Sequence, residues 1–358
     1  MIHTNKTGRE YIYTLLNTLL FCSFSSHPVL GTTLLILLPA LLYGCSAEFP
    51  DSSAEQTATA VSITKSPGAD VKTLDIFVFA DDEMRLLDCY QRIERPEKWD
   101  MGVVSGYGDR IMFLCANSGM NAGGWPWIRS WHSLEKIVFN LEDECPDSPV
   151  MTGIARISPK NDSHKRAVVT EAILRPLSSE IVLRSVRCDF TGRPYDGEKI
   201  TDAKVYLTNV NAEAGLLDED CMNPRRIINS GHLNSEDIAA FPDSSVIVRH
   251  LSSDIGKTAM LTDIQLYCYP NTSEEESPGT PVTRLVLEGK VGGTTYYWPI
   301  NINRRQGKGV ERGRSYVFDI VITRKGTDDP DIPVETDEVE IIITEEEWNE
   351  KEDYTVGF

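Results

Sequence analysis

The sequence predicts an all-β protein built from two tandem antiparallel β-sandwiches that follow an export signal. From residue 74 onward, short apolar or alternating runs are separated by Gly, Pro, Asn and Asp at strand-like spacing. The longest helix-like window, residues 131–139, is short. With 358 residues and a hydrophobic content of 41%, the chain is large enough to bury a core in each of two domains.

The candidate strands are residues 74–79, 110–115, 167–174, 180–186, 204–210, 245–248, 264–269, 282–289, 294–302, 316–323 and 339–344. A succession of short strands without intervening helices excludes a parallel βαβ sheet and favours sandwiches. Pro176 interrupts two strands that otherwise run together, so we expect the domain boundary there. The predicted domains are residues 67–175 and 177–358, and no internal repeat relates them.

The first residues have the polarity of an export signal. Lys6 and Arg9 are followed by no Lys or Arg until Lys65, and the gap holds two apolar stretches, residues 11–24 and 29–43. The second stretch contains Pro39 and is shorter than the ~20 residues that a bilayer span needs. We therefore expect residues 1–44 to be a signal peptide, with a signal-anchor helix as the alternative.

Directly after this stretch, Leu42, Tyr43, Gly44 and Cys45 resemble the lipobox of bacterial lipoproteins. The resemblance implies cleavage before Cys45, a diacylglyceryl group on its sulfur and acylation of its freed amine, for example with palmitate. Two or three acyl chains give stable anchoring, whereas one gives reversible binding. Residues 45–66 are rich in Ser, Ala, Thr and Glu, so they are expected to form a flexible tether from the outer membrane.

Charge and motif content exclude several classes of function. The formal charge is −19, from 35 basic and 54 acidic residues, which argues against nucleic acid and anionic lipid surfaces as partners. The sequence has no nucleophile elbow, HExxH, Walker loop or glycine-rich dinucleotide turn, and its histidines are not spaced as metal ligands. We therefore predict no catalysis, no cofactor and no bound metal; the acidic run Asp328, Asp329 and Asp331 is interpreted as a solvated turn rather than a calcium loop.

Aromatic and sulfur-containing residues leave alternatives open. Trp125, Trp127 and Trp131 cluster around two glycines and a proline, a composition found in carbohydrate-stacking platforms and, more often, in a core beneath a loop. Six cysteines follow Cys45, and they are Cys89, Cys115, Cys145, Cys188, Cys221 and Cys268. An even number in an oxidising compartment permits disulfides, but several lie in apolar strands where buried free thiols are expected.

Four stretches of the chain, in order, together resemble the sequences of one known family. The first two are the strands at residues 74–80 and 110–117, and the third is Met151-Thr152-Gly153, in the place of that family's turn before the last strands of its first domain. The fourth is the ending, which comprises residues 296–302, Arg312-Gly313-Arg314-Ser315-Tyr316 and a final strand closing at Trp348. That family is the fimbrillins and fimbrial-anchor lipoproteins of Bacteroides-type (type V) pili. The resemblance implies two transthyretin-like, Greek-key sandwiches without catalysis. It also implies that subunits join, or are capped, by donating a β-strand to an open groove, and that the partners are other fimbrial subunits.

The resemblance leaves the role of the subunit open between anchor, stalk and tip. Stalk subunits of that family lose their lipidated N-terminal strand to an arginine-specific protease, but here no arginine follows Cys45 until Arg85. We therefore expect a lipid-anchored base subunit, with a minor or tip fimbrillin and a glycan-binding surface lipoprotein as alternatives; cleavage after Lys65 or Lys72 would weaken this argument. The expected donor or closing strand is Glu340, Ile341, Ile342, Ile343 and Thr344, and its alternative is an ordinary edge strand.

Overall fold

A computed structural model describes residues 57–65, 70–105, 108–121, 123–158, 170–219, 221–273, 276–277, 279–302, 309–333 and 339–347. The predicted signal peptide and Cys45 lie outside these residues. The all-β prediction is confirmed: the described chain contains nineteen strands, β1 to β19, and two short α-helices. The helices are α1 (Trp131–Leu134) and α2 (Ser235–Ala239). Within the described residues, no helix has the length and apolar character to cross a bilayer.

Seven strands form the first sheet, in the order β3-β2-β5-β7-β8-β1-β4. They are β1 (Thr57–Lys65), β2 (Thr73–Ala80), β3 (Leu87–Glu94), β4 (Asp100–Ser105), β5 (Arg110–Ala116), β7 (Met151–Ile157) and β8 (Thr170–Pro176). All neighbours are antiparallel except β1 and β8, which run parallel.

Two four-stranded sheets follow, in the orders β14-β10-β16-β17 and β15-β9-β18-β19. Their strands are β9 (Ser179–Cys188), β10 (Thr201–Thr208), β14 (Val248–His250), β15 (Met260–Cys268), β16 (Arg284–Val291), β17 (Thr294–Asn301), β18 (Arg314–Ile322) and β19 (Val339–Glu347). Two short ribbons complete the fold, one from β6 (Val138–Asn140) and β12 (Glu213–Gly215), the other from β11 (Val210–Asn211) and β13 (Ile227–Ile228).

Strand β2 shows why the central strands are apolar without alternation. Its successive side chains point to opposite faces of the sheet, and both faces are covered. Leu74, Ile76 and Val78 enter one cluster together with buried residues of β1, β5, β7 and β8. Phe77 and Phe79 enter a second cluster on the other face.

This second hydrophobic cluster crosses the predicted domain boundary. It joins Phe77 and Phe113 of the first sheet to Tyr269, Trp298 and other residues of the later sheets. The described chain accordingly forms one compact unit. The strands of the seven-stranded sheet end with Pro176 and β9 begins at Ser179. We refer to the parts before and after Pro176 as the first and second lobes, and their division into separate domains stays a prediction.

The structure differs from the sequence prediction in four places. Residues 57–65 of the predicted tether are strand β1, because its alternating residues Val61 and Ile63 are β-branched and two partner strands flank it. The helix-like window at residues 131–139 is helical only as α1; the chain then extends as β6, where Val138 and Phe139 favour a strand. The expected strand at residues 245–248 begins instead with a 3₁₀ turn, Ser244–Val246, since the Asp243 side chain accepts a hydrogen bond from the Ser245 N–H. Met151-Thr152-Gly153 opens strand β7 rather than forming a turn.

Candidate functional site

Strand β1 is the first described element of the chain, and it is held on both sides. It pairs antiparallel with β4, from Thr57 opposite Ser105 to Ser62 opposite Asp100. It pairs parallel with β8, from Val61 opposite Thr170 to Lys65 opposite Leu174. If β1 left, the backbone edges of β4 and β8 would be exposed together.

The side chain of Ile63 fixes β1 in the hydrophobic interior. Ile63 is 5% exposed and belongs to the same cluster as Ala172 and Leu174 of β8. Its N–H donates a hydrogen bond of 2.9 Å to the Trp99 carbonyl. The next residue, Thr64, is exposed and donates to a carboxylate oxygen of Glu171 on the outer surface. The slot of β1 therefore lies between two strand edges and buries the apolar side chain of Ile63.

Strand β19 is an edge strand of its four-stranded sheet. It pairs antiparallel with β18 over its whole length, from Ile322 opposite Val339 to Arg314 opposite Glu347. Glu340 to Thr344, the residues expected in a donor or closing strand, lie within it. In this structure β19 completes the sheet of its own chain, and its donation to another chain stays a prediction.

Arg312 lies at the junction of the two lobes. Its side chain is 4% exposed, and its guanidinium donates to the carbonyls of Arg175 and Pro176 and to Thr152 Oγ1, at 3.1, 3.0 and 2.5 Å. Nη1 also donates to Glu219 Oε1 at 3.1 Å. Two stretches that carry the family resemblance, around Thr152 and around Arg312, are therefore in direct contact.

A buried carboxyl group, Glu144, lies between the first lobe and the second. Oε1 accepts a hydrogen bond of 2.9 Å from the Val150 N–H, and Oε2 accepts one of 2.9 Å from the Tyr269 hydroxyl. Burial raises the pKa of Glu144 to about 7, although both hydrogen bonds lower it. This group is partly protonated at neutral pH in the folded protein.

The structure separates the three tryptophans of the candidate glycan platform. Trp125 is 3% exposed and packs edge-on against Phe77, with ring centroids 5.2 Å apart. Trp131 packs edge-on against Phe79 and Phe113. Only Trp127 of the three is largely exposed, and its Nε1–H donates to the Gly124 carbonyl. Trp125 is therefore core beneath a loop, and the partly buried Trp131 packs against the same core.

Other predicted sites have ordinary structural surroundings. The acidic turn is held by its own backbone, since Asp329 Oδ1 accepts from the Asp331 N–H and Asp331 pairs with Arg284. Among the described residues, no group of His, Cys, Asp and Glu is arranged to hold a metal ion. The six described cysteines are unpaired, and burial raises the pKa of the Cys268 thiol to about 12. Leu42, Tyr43, Gly44 and Cys45 lie outside the described residues.

No protein-family model matches the sequence, and no curated protein matches it. Solved structures do match. A candidate cell adhesion protein of Bacteroides eggerthii is 18% identical, with a TM-score of 0.61, over 82% of this chain and 97% of that one. The fimbrilin FimA of Porphyromonas gingivalis is 14% identical, with a TM-score of 0.57, over 82% and 97%.

The tip fimbrial protein Mfa3 of Porphyromonas gingivalis, truncated at its C-terminus, is 12% identical, with a TM-score of 0.52, over 82% of this chain and 100% of that one. At these identities the similarity establishes the fold alone, and it agrees with the sandwich architecture that the resemblance implied. The fold of this chain is therefore that of the fimbrilins.

Proposed function

We propose that this protein is a non-catalytic subunit of an adhesive fimbria, lipid-anchored in the outer membrane as its base and joined to other subunits by β-strand donation. The observation that carries the proposal is the position of β1, a strand at the start of the described chain that fills a groove between β4 and β8. A groove of this kind, once vacated, accepts an extended segment by β-augmentation.

The sequence of β19 supports its role as the donated segment. β1 and β19 are both nine residues long. When Thr344 is aligned with Thr64, Ile343 takes the place of Ile63 and Ile341 that of Val61. A β19 strand from another subunit would thus offer the groove an isoleucine at the buried position of Ile63.

The position of Arg85 supports an anchor rather than a stalk subunit. It is the first arginine after Cys45, and it follows β2, whose six inner residues are buried. The Arg85 carbonyl accepts from the Trp131 N–H, and its guanidinium lies 5.8 Å from the centre of the Trp131 ring. Cleavage there would remove a central strand as well as β1, so an arginine-specific protease does not offer a simple way to shed the lipid.

Two measurements test the anchor. A Cys45→Ser variant is expected to leave the membrane fraction and appear in the soluble fraction, because no acyl chains hold it. Deletion of the gene is expected to release fibres into the medium. Membrane-bound Cys45→Ser protein, or fibres that stay on the deleted cells, would refute the anchor role.

A tip or minor fimbrillin is the second candidate, because the chain also has the fold of the tip protein Mfa3. Immunogold labelling of intact fibres distinguishes the two positions: label at the cell surface supports the base, and label at the distal end supports the tip. The glycan-binding alternative has less support, since Trp127 is the one ring of its three that is largely exposed.

A further inference from the structure

The connection from β18 to β19 takes an indirect path. Both strands belong to the same sheet, yet the chain between them contacts the opposite sheet, where Thr327 forms a bridge with Tyr297 of the edge strand β17. There Thr327 and Tyr297 exchange two backbone hydrogen bonds of 2.9 Å. Gly326 permits this contact, because a Cβ at its position would lie 2.0 Å from the Tyr297 carbonyl oxygen. Thr327 and its neighbours, which follow β18 in the chain, are therefore bound to a different sheet from β18 and β19.

Arg284, at the start of β16, holds the end of this segment. Its side chain is 2% exposed, and Nη1 lies 2.5 Å from Asp331 Oδ1. Nη2 pairs with Glu276, and Nε donates to Asn301 Oδ1 at 2.9 Å. A guanidinium this deeply buried needs charged partners, and Asp331 is one of only two carboxylates among the described residues that pair with it.

The fold also leaves room for the Asp331 side chain. Gly231 has a φ of +70°, and a Cβ there would lie 3.2 Å from Asp331 Cγ. The Gly231 N–H donates to Asn209 Oδ1 at 2.8 Å, which fixes this backbone beside Asp331. The backbone around Gly231 therefore provides a site for the Asp331 side chain on the sheet, although Asp331 is half exposed.

We propose that Arg284 is the anchor of the C-terminal arm, which we define as the chain from Asp331 through β19. The arm can leave β18 and pair with a neighbouring subunit while residues 323–331 stay bound to the opposite sheet. Arg284 thus acts as a positioning residue that sets where the arm starts. This use of the arm rests on the proposed function, whereas the anchoring itself does not.

The anchor determines how far the arm extends. From Asp331, the chain to the start of β19 can span at most roughly 26 Å at about 3.3 Å per residue. If Asp331 were released and Thr327 became the last bound residue, that span would rise to roughly 40 Å. The Arg284–Asp331 pair therefore limits the distance over which β19 reaches another subunit.

Hydrogen–deuterium exchange on the full-length protein tests the anchor. In the wild type, we expect the amides of residues 339–347 to exchange at least roughly tenfold faster than those of Tyr297 and Thr327, because β19 opens separately. In Asp331→Ala, exchange at residues 327–333 is expected to rise roughly tenfold or more, since a hydrogen bond between charged groups is lost. Arg284→Met should have the same local effect.

Asp328→Ala is the matched control, because Asp328 is an exposed carboxylate of the same segment. It should leave exchange at residues 327–333 within twofold of the wild type. Equal exchange of residues 323–333 and 339–347 in the wild type, or an Asp331→Ala profile like that of Asp328→Ala, would overturn the proposal. Hydrogen–deuterium exchange is measured on the isolated protein, so it tests the anchoring alone. A failure of strand donation in a separate binding assay would contradict the proposed function and leave the exchange result unchanged.

Discussion

Arg312 Nη2 lies 2.5 Å from Thr152 Oγ1, although 160 residues separate the two along the chain. Thr152 is in β7 of the first lobe, and Arg312 precedes β18 of the second. The same guanidinium binds carbonyl groups of Arg175 and Pro176 at the crossing point between the lobes. One side chain thus satisfies several acceptors at the junction of the two lobes.

Replacement of Arg312 by methionine is expected to lower the free energy of unfolding by about 3 kcal/mol, because buried acceptors lose their donor. Urea denaturation measures the change. Arg193→Met is the control, since Arg193 is exposed, and it should change stability by less than about 0.5 kcal/mol. Equal stability of the two variants would show that the junction does not depend on Arg312.

Glu144 predicts a pH dependence of stability. Its pKa is about 7 in the folded protein against an ordinary 4.5, so the folded state binds the proton more tightly than the unfolded state. The associated stabilisation is fully present below pH 4.5 and is lost as the pH rises through 7. We expect a loss on the order of 3 kcal/mol between these limits.

Glu144→Gln keeps an acceptor for the Val150 N–H and removes the ionisation. Subtracting its stability from that of the wild type, measured by urea denaturation at pH 5 and pH 8, isolates the contribution of the carboxyl group. The free energy of unfolding of the wild type, relative to that of Glu144→Gln, should be lower at pH 8 than at pH 5. A difference that does not change with pH would contradict the assignment.

The groove occupied by β1 is expected to accept a peptide with the sequence of β19. A site for a specific protease, inserted between Lys65 and Asp70, allows β1 to be cut free after the protein has folded. A labelled peptide of residues 339–347 should then bind, as measured by fluorescence anisotropy, and should not bind the uncut protein. The same peptide with Ile343→Asp should bind at least roughly tenfold more weakly, because it would bury a charge.

If the cut protein retains β1 and binds neither peptide, the groove is not an exchange site. If both peptides bind with equal affinity, binding does not depend on the side chain at position 343. Either result would remove the support for strand donation at β1.

The tryptophans are expected to differ sharply in their effect on stability. Trp131→Ala should cost about 3–5 kcal/mol, because the ring packs on Phe79 and Phe113. Trp127→Ala should cost less than about 1 kcal/mol, since Trp127 is 48% exposed. Thermal or urea unfolding distinguishes the two, and similar losses would contradict the packing of Trp131 against the core.

Much of the fold could be predicted from local pattern. Strands such as β2 and β5 are short apolar runs, and their positions in the structure match the expected ones within about two residues. Strand β1 could not be recognised from composition, because Thr, Ala and Ser dominate it and its stability comes from β4 and β8. The alternation of Val61 and Ile63 was the available signal.

The candidate sites depended on contacts that sequence does not encode locally. The stretches around Thr152 and Arg312 each resemble part of the fimbrillin sequences, but nothing in either stretch predicts that the two are in contact. Arg284 and Asp331 gave no signal as a pair, since an arginine in a strand and an aspartate in a turn are both expected at the surface. The tryptophan cluster was ambiguous because composition does not reveal which face of a loop rests on a sheet.

The placement of β1 between two partners also has a mechanical consequence. Tension directed along the strand acts parallel to its direction, so its backbone bonds to β4 and β8 are strained in shear, all at once. A strand peeled from a sheet edge breaks such bonds one after another, at lower force. A pull on the chain before Thr57 is therefore resisted along the whole length of β1, and the lifetime of that attachment under load is set by the rate at which the strand slides out.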